Sequence, residues 1–112
     1  GGGLLDIIDE FFIDNIFVGK EIEDLNTVIY SLKNGIPVYN IYIICVYKSG
    51  RNIAQIITSR QFLKEIGGKN DIKAIGIAHG KYSARKLFAE ILEYWISAGK
   101  TVFDFRDNII GE

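Results

Sequence analysis

The chain has 112 residues, 48% apolar and 24% charged, long enough for one buried core, too short for two, and far from the composition of a disordered chain. Thirteen basic residues against fourteen acidic ones leave a formal charge of −1, so no global field favours a nucleic-acid backbone, and DNA or RNA is not an expected partner. A single cysteine and a single histidine exclude an internal disulfide and any cysteine-rich or multi-histidine metal site.

Uninterrupted apolar runs are only a few residues long, short of a bilayer span, and the N-terminus lacks the basic segment and apolar core of a signal peptide. A membrane is therefore not an expected partner, and a cytoplasmic location follows by default. Gly1-Gly2-Gly3 reads as an appended scar or the start of an excised domain, since the chain contains no methionine. Residues 4–112 are expected to form a single compact domain.

Leu4, Leu5, Ile8, Phe11, Phe12 and Ile16 recur at helical spacing among Asp6, Asp9, Glu10 and Asp14, which predicts an acidic amphipathic helix over Leu4–Val18. Ile7, Ile13 and Phe17 widen its apolar surface, and the surplus either packs in the chain's own core or meets a partner. After Gly19, helical spacing resumes at Ile22, Leu25, Val28, Ile29 and Leu32. Glu21, Glu23 and Asp24 suit the start of this second helix, Lys33 suits its end, and Asn34-Gly35 with Pro37 stops it.

Val38–Tyr47 is almost wholly β-branched or aromatic, broken by Asn40, and predicts a strand. The turn-rich Ser49-Gly50-Arg51-Asn52 and the β-branched Ile53–Thr58 complete a β-hairpin. Cys45 lies inside the first of these runs and reads as a small core residue. Ser59 can cap a short helix through Ile66 that ends at Gly67-Gly68.

Ile72–Ala78 predicts a strand with Ala74, Gly76 and Ala78 on one face and Ile75 and Ile77 on the other. Ala84, Leu87, Phe88, Ile91, Leu92, Trp95 and Ile96 then form the cleanest helical stripe in the chain, closed by Ala98-Gly99. Thr101–Arg106 alternates as a half-exposed edge strand would, and Asp107–Glu112 reads as a frayed tail. Together these elements predict an α/β (or α+β) domain with a mixed four-stranded sheet. Its first strand is antiparallel to the second, its last three are parallel, and two N-terminal helices, one short helix and one long helix pack on it.

In open α/β sheets, ligands bind beyond the carboxyl ends of the parallel strands, where helix N-termini present unbonded N–H groups. That rule selects Thr58, Ser59 and Arg60, then His79, Gly80, Lys81 and Ser83, then Arg106 and Asp107. The collection is mostly basic and would suit a phosphate or carboxylate. The competing reading is that capping serines and solvated basic residues occur at most strand-to-helix turns.

Several motif matches fail inspection. Gly76-Ile77-Ala78-His79-Gly80-Lys81-Tyr82-Ser83 has the strand-turn-helix context of a P-loop, but only three residues separate its glycines and Tyr82 stands where a hydroxyl ligand for magnesium belongs. Ser83-Ala84-Arg85-Lys86 matches a Ser-x-x-Lys spacing whose partner motifs are absent. His79 at a polar turn suits a general acid or base, or a donor to an anion, and equally an ordinary exposed loop residue. Asp104 and Arg106 read as a surface pair, and the tyrosines as covers for core edges rather than base-stacking platforms.

No complete catalytic constellation is present and no motif asks for a cofactor, so catalysis is not the leading expectation. The leading reading is a structural or protein-interaction domain. It would join a second copy or another protein through the first helix or the edge near Phe103 and Phe105. The alternative is a domain that binds a small phosphate- or carboxylate-bearing ligand at Ser59, Arg60, His79, Gly80, Lys81, Ser83 and Arg106.

Overall fold

The computed structural model describes residues 12–48, 53–68 and 71–100, the first four of these by their backbone alone. Four strands and three helices follow in the order β1 (Phe12–Val18), α1 (Leu25–Lys33), β2 (Ile41–Tyr47), β3 (Ala54–Thr58), α2 (Ser59–Gly67), β4 (Ile72–His79) and α3 (Lys81–Ser97). The sheet is mixed, in the order β1-β4-β2-β3. β1 runs parallel to β4, and β2 runs antiparallel to both β4 and β3.

The apolar composition of β2 and β4 places them at the centre. Ile41, Ile43 and Cys45 face one layer with Leu32 of α1 and with Phe62 and Ile66 of α2. Ile44 and Val46 face the opposite layer with Ala84, Leu87 and Ile91 of α3. A strand buried on both faces reads as a continuous apolar run rather than an alternation, as IYIICVY does. Each fully buried isoleucine in this run contributes about 1.5–3 kcal/mol relative to exposure.

The predicted face assignment for β4 is corrected by a bulge. Pairing passes from Ile44 with Gly76 to Cys45 with Ala74, leaving Ile75 extra. Ile75 and Ala78 therefore join the α3 layer while Ala74 and Ile77 join the α1 and α2 layer. Gly76 also faces α3: a Cβ there would stand 3.0 Å from Ile44 Cδ1 and 3.2 Å from Ile91 Cδ1. The small residues thus serve two layers, not one.

The N-terminal prediction is corrected too. Phe12–Val18 is a strand, not the end of a helix, while residues 4–11 lie outside the described residues. Ile16 packs toward α1 and α2 and its neighbour Phe17 toward α3. Apolar residues on both faces of a short strand satisfy helical spacing as readily as a helix does. The predicted strand Thr101–Arg106 also lies outside the described residues, so β1 is the fourth strand seen.

β2 is antiparallel to β3, and β3 and β4 run in the same direction with β2 between them; the expected third parallel strand lies outside the described residues. The described part of the chain is a mixed α+β domain with helices on both sheet faces. Of the three predicted glycine stops, Gly68 caps α2 at φ −83° and the other two are left-handed. Gly35 (φ 75°) donates to Leu32 O and Ile36 to Ser31 O after α1, and Gly99 (φ 80°) donates to Ile96 O and Lys100 to Trp95 O after α3. No helix among the described residues is long and apolar enough to cross a membrane.

Candidate functional site

The carboxyl ends of β1, β3 and β4 meet at one edge of the sheet, beside the start of β2. Four chain segments therefore converge: Gly19–Asp24, Val38–Asn40, Thr58–Arg60 and His79–Lys81. The loop after β1 leads to α1 on one face, and the turn after β4 leads to α3 on the other. Such a divergence between parallel neighbours is where an open sheet forms its ligand crevice.

Here that crevice is nearly filled from within. Gly19 N donates to Ile77 O at 2.9 Å. A Cβ on Gly19 would stand 3.0 Å from Ala78 Cβ and 3.3 Å from Ser83 Oγ, so only glycine lets the loop lie this close. The Ser83 hydroxyl, 8% exposed, donates to the Glu21 carboxylate. That bond and a backbone contact of Glu21 itself, helped by the nearby Lys86 and Lys20, hold the Glu21 carboxyl below the usual glutamate range against an opposing effect of desolvation. About 80 Å³ remains between Lys20, Glu21, Ser83, Lys86 and Glu90. The Glu21 carboxylate, from the loop after β1, reaches the first turn of α3 through Ser83, near the helix start that the sequence assigns to an anionic ligand.

The other predicted serine is also engaged. Ser59, 2% exposed, accepts from Val38 N at 2.9 Å and donates to Val38 O at 2.8 Å. The helix cap expected of Ser59 belongs instead to Thr58, whose hydroxyl accepts from Gln61 N at 3.1 Å. Likewise Asp24 is the cap of α1 rather than a first-turn residue, accepting from Thr27 N at 3.1 Å and Thr27 Oγ1 at 2.6 Å. Gly80, at φ 94°, is the α3 cap residue with no side-chain bond. Its N–H goes to Asn40 O at 2.7 Å.

Of the remaining predicted positions, His79 is exposed at the end of β4 opposite Ile41, and Lys81 is exposed at the start of α3. Arg60 is exposed in the first turn of α2. Arg106 lies outside the described residues. The edge therefore gathers Ser59, Arg60, His79, Gly80, Lys81 and Ser83, but both serines and the Gly80 N–H are committed to internal bonds.

Two grooves open on the same edge. The larger, about 500 Å³, lies between the α1–β2 segment and the start of α2, and among the described residues Arg60 is its only charged lining residue. The second, about 310 Å³, is lined by Glu21, Glu23, Asp24 and His79 together with Val28 of α1. Val38, Tyr39 and Ile41 line both, so Tyr39 forms the ridge between them. Tyr39 is 92% exposed, yet the backbone on either side of it is pinned: Val38 by Ser59, and Asn40 O by Gly80 N. Asn40 itself has φ 61°, the one left-handed residue other than glycine among the described residues.

Sequence reasoning missed Lys20, Glu21, Glu23, Tyr39 and Asn40 as members of this edge. The one available signal was Ile16-Phe17-Val18 ending at Gly19, a β-rich run with a break. Among the described residues no group of three or more His, Cys, Asp or Glu side chains could hold a metal ion. What the fold and edge define is a mixed-sheet domain whose strand-end crevice is self-occupied and whose open surface is a pinned aromatic between two grooves. No family model, curated protein or solved structure matches the chain.

Proposed function

We propose that this domain is a protein-interaction module, and that it docks a partner segment over Tyr39 and Arg60 at the strand-end edge. The observation that carries this reading is the fixed presentation of Tyr39: an aromatic side chain left in solvent on a backbone tied down on both sides. A backbone ordered before binding loses little entropy on binding, and tyrosine and arginine are among the residue types that dominate interface energy. Three of the six described groups predicted to receive a small anion, Ser59, Ser83 and the Gly80 N–H, are already bonded, which weakens the small-ligand alternative. The self-association reading loses its helical carrier, because the last seven residues of Leu4–Val18 are a strand.

Panning the immobilised domain against a phage library of random dodecapeptides tests the proposal. Peptides should be enriched, and their affinity, read by fluorescence polarisation, should fall about tenfold or more in Tyr39→Ala while the melting temperature stays unchanged. A panning that enriches nothing, or peptides that bind Tyr39→Ala as well as the parent, would overturn it. Inorganic phosphate is the control for the alternative. Saturable amide shifts at Arg60 and Lys81 with phosphate, without peptide enrichment, would make the edge an anion site instead.

A further inference from the structure

On the sheet face that carries α1 and α2 the edge is electrically polar along one direction, while Lys81 begins α3, which packs on the other face. Crossing the strand ends in the order β1, β4, β2, β3, the surface begins at the loop of Glu21, Glu23 and Asp24 and ends at Arg60. Lys20 and Lys86 act on Glu21, and Asp24 is bonded to Thr27, but Glu23 carries no hydrogen bond among the described residues. At the opposite end, among the described residues Arg60 has no carboxylate partner. α1 and α2 lie on the same sheet face with their N-termini at this edge, so the two grooves form one path between the helix starts, with Val38, Tyr39 and Ile41 as its apolar middle.

Resting on the interaction reading above, we infer that the partner is an extended peptide segment of mixed charge, laid across the strand ends with a basic side chain in the acidic groove, an apolar side chain against Tyr39 and an acidic side chain on Arg60. The spacing follows from the sheet. Three strand intervals of about 4.8 Å separate β1 from β3, and an extended residue advances about 3.3 Å, so the two charges stand about four residues apart. A segment with one sign of charge would meet like charge at one end, which is penalised more strongly than a neutral contact. A carboxylate or phosphate alone satisfies only Arg60, and a lone cation only the acidic groove.

The sequences enriched by panning supply the first reading. They should show a lysine or arginine and an aspartate or glutamate about four residues apart around an apolar residue. Charge reversal supplies the second. Arg60→Glu should shift preference by about tenfold toward peptides in which the acidic residue is replaced by lysine, and Glu23→Lys should shift it by a similar factor toward peptides with two acidic residues. Should either reversed protein lose its helical circular dichroism, Arg60→Gln and Glu23→Gln replace them, with loss of discrimination between mixed-charge and single-sign peptides as the readout.

A consensus of one charge sign, or charge variants that keep the parent's preference, would overturn the polar path. If Tyr39→Ala still abolished binding in that case, the interaction module would stand without it. If Tyr39→Ala were also without effect, both would fall together.

Discussion

At the residue scale, three side chains whose chemistry invites a catalytic or ligand role are committed to structure. Cys45 is fully buried between β3 and β4, and burial, reinforced by Glu65, drives its thiol well above its ordinary range. It should therefore be inert in the native protein: a chromogenic disulfide reagent should release one equivalent only after denaturant is added. Ser59 and Ser83 each close a long-range bond, to Val38 and to Glu21. Because the Glu21 carboxyl is held below its ordinary range, the unfolded chain binds its proton first as pH falls. The Ser83 contact thus adds stability above the ordinary glutamate range and loses it as pH drops through the lowered value. Glu21→Gln should flatten that part of the acid limb in denaturant titrations run from pH 6 down to about pH 3.

At the scale of elements, local chemistry gives the element type of α1, α2, α3, β2, β3 and β4, though not the faces of β4, and fails at β1. α1 and α3 end where glycine takes a left-handed conformation, a property of the residue itself, whereas Gly68 caps α2 at φ −83°. Helical spacing misplaces β1 because periodicity reports which residues are apolar, not which backbone they share, and a strand with apolar residues on both faces carries no alternation. Caps shift by a residue for a similar reason: Thr58 and Ser59 are both good capping residues, and only the position of Val38 draws Ser59 inward. Ser59→Ala removes both bonds that tie the α1–β2 segment to α2. It should cost about 1–3 kcal/mol, because the Val38 N–H loses its partner in a partly buried site. Chemical denaturation measures that loss, and the same variant should weaken peptide binding by loosening the backbone that presents Tyr39.

At the scale of the whole molecule, the sheet order sets both the stability gradient and the surface. β2 and β4 are central and covered on both faces, whereas β3 is short, terminates the sheet as described, and buries none of its residues fully. Native-state hydrogen exchange should accordingly be slowest at Ile43, Ile44 and Ile77 and distinctly faster along Ala54–Thr58. A reversed order, with β3 outlasting β2, would mean that the core is not organised around the β2–β4 pair. The same order brings the loop after β1 to one end of the strand-end edge and Arg60 to the other, which makes the surface polar rather than uniformly basic.

By itself the sequence determined a single mixed domain, six of its seven described elements, and the edge where strand ends collect, since apolar period, β-branched content and glycine stops act over a few residues. It also exposed the false P-loop, because motif spacing is a property of the chain alone. Only the tertiary structure decided that Phe12–Val18 pairs with β4, that Glu21 takes the Ser83 hydroxyl at the start of α3, and that Tyr39 stands out between an acidic and a basic groove. Those outcomes depend on contacts 62 residues apart for Glu21 and Ser83, and 21 apart for Val38 and Ser59. Local propensity carries no record of pairings at that range, because the free energy that selects them comes from packing the whole sheet.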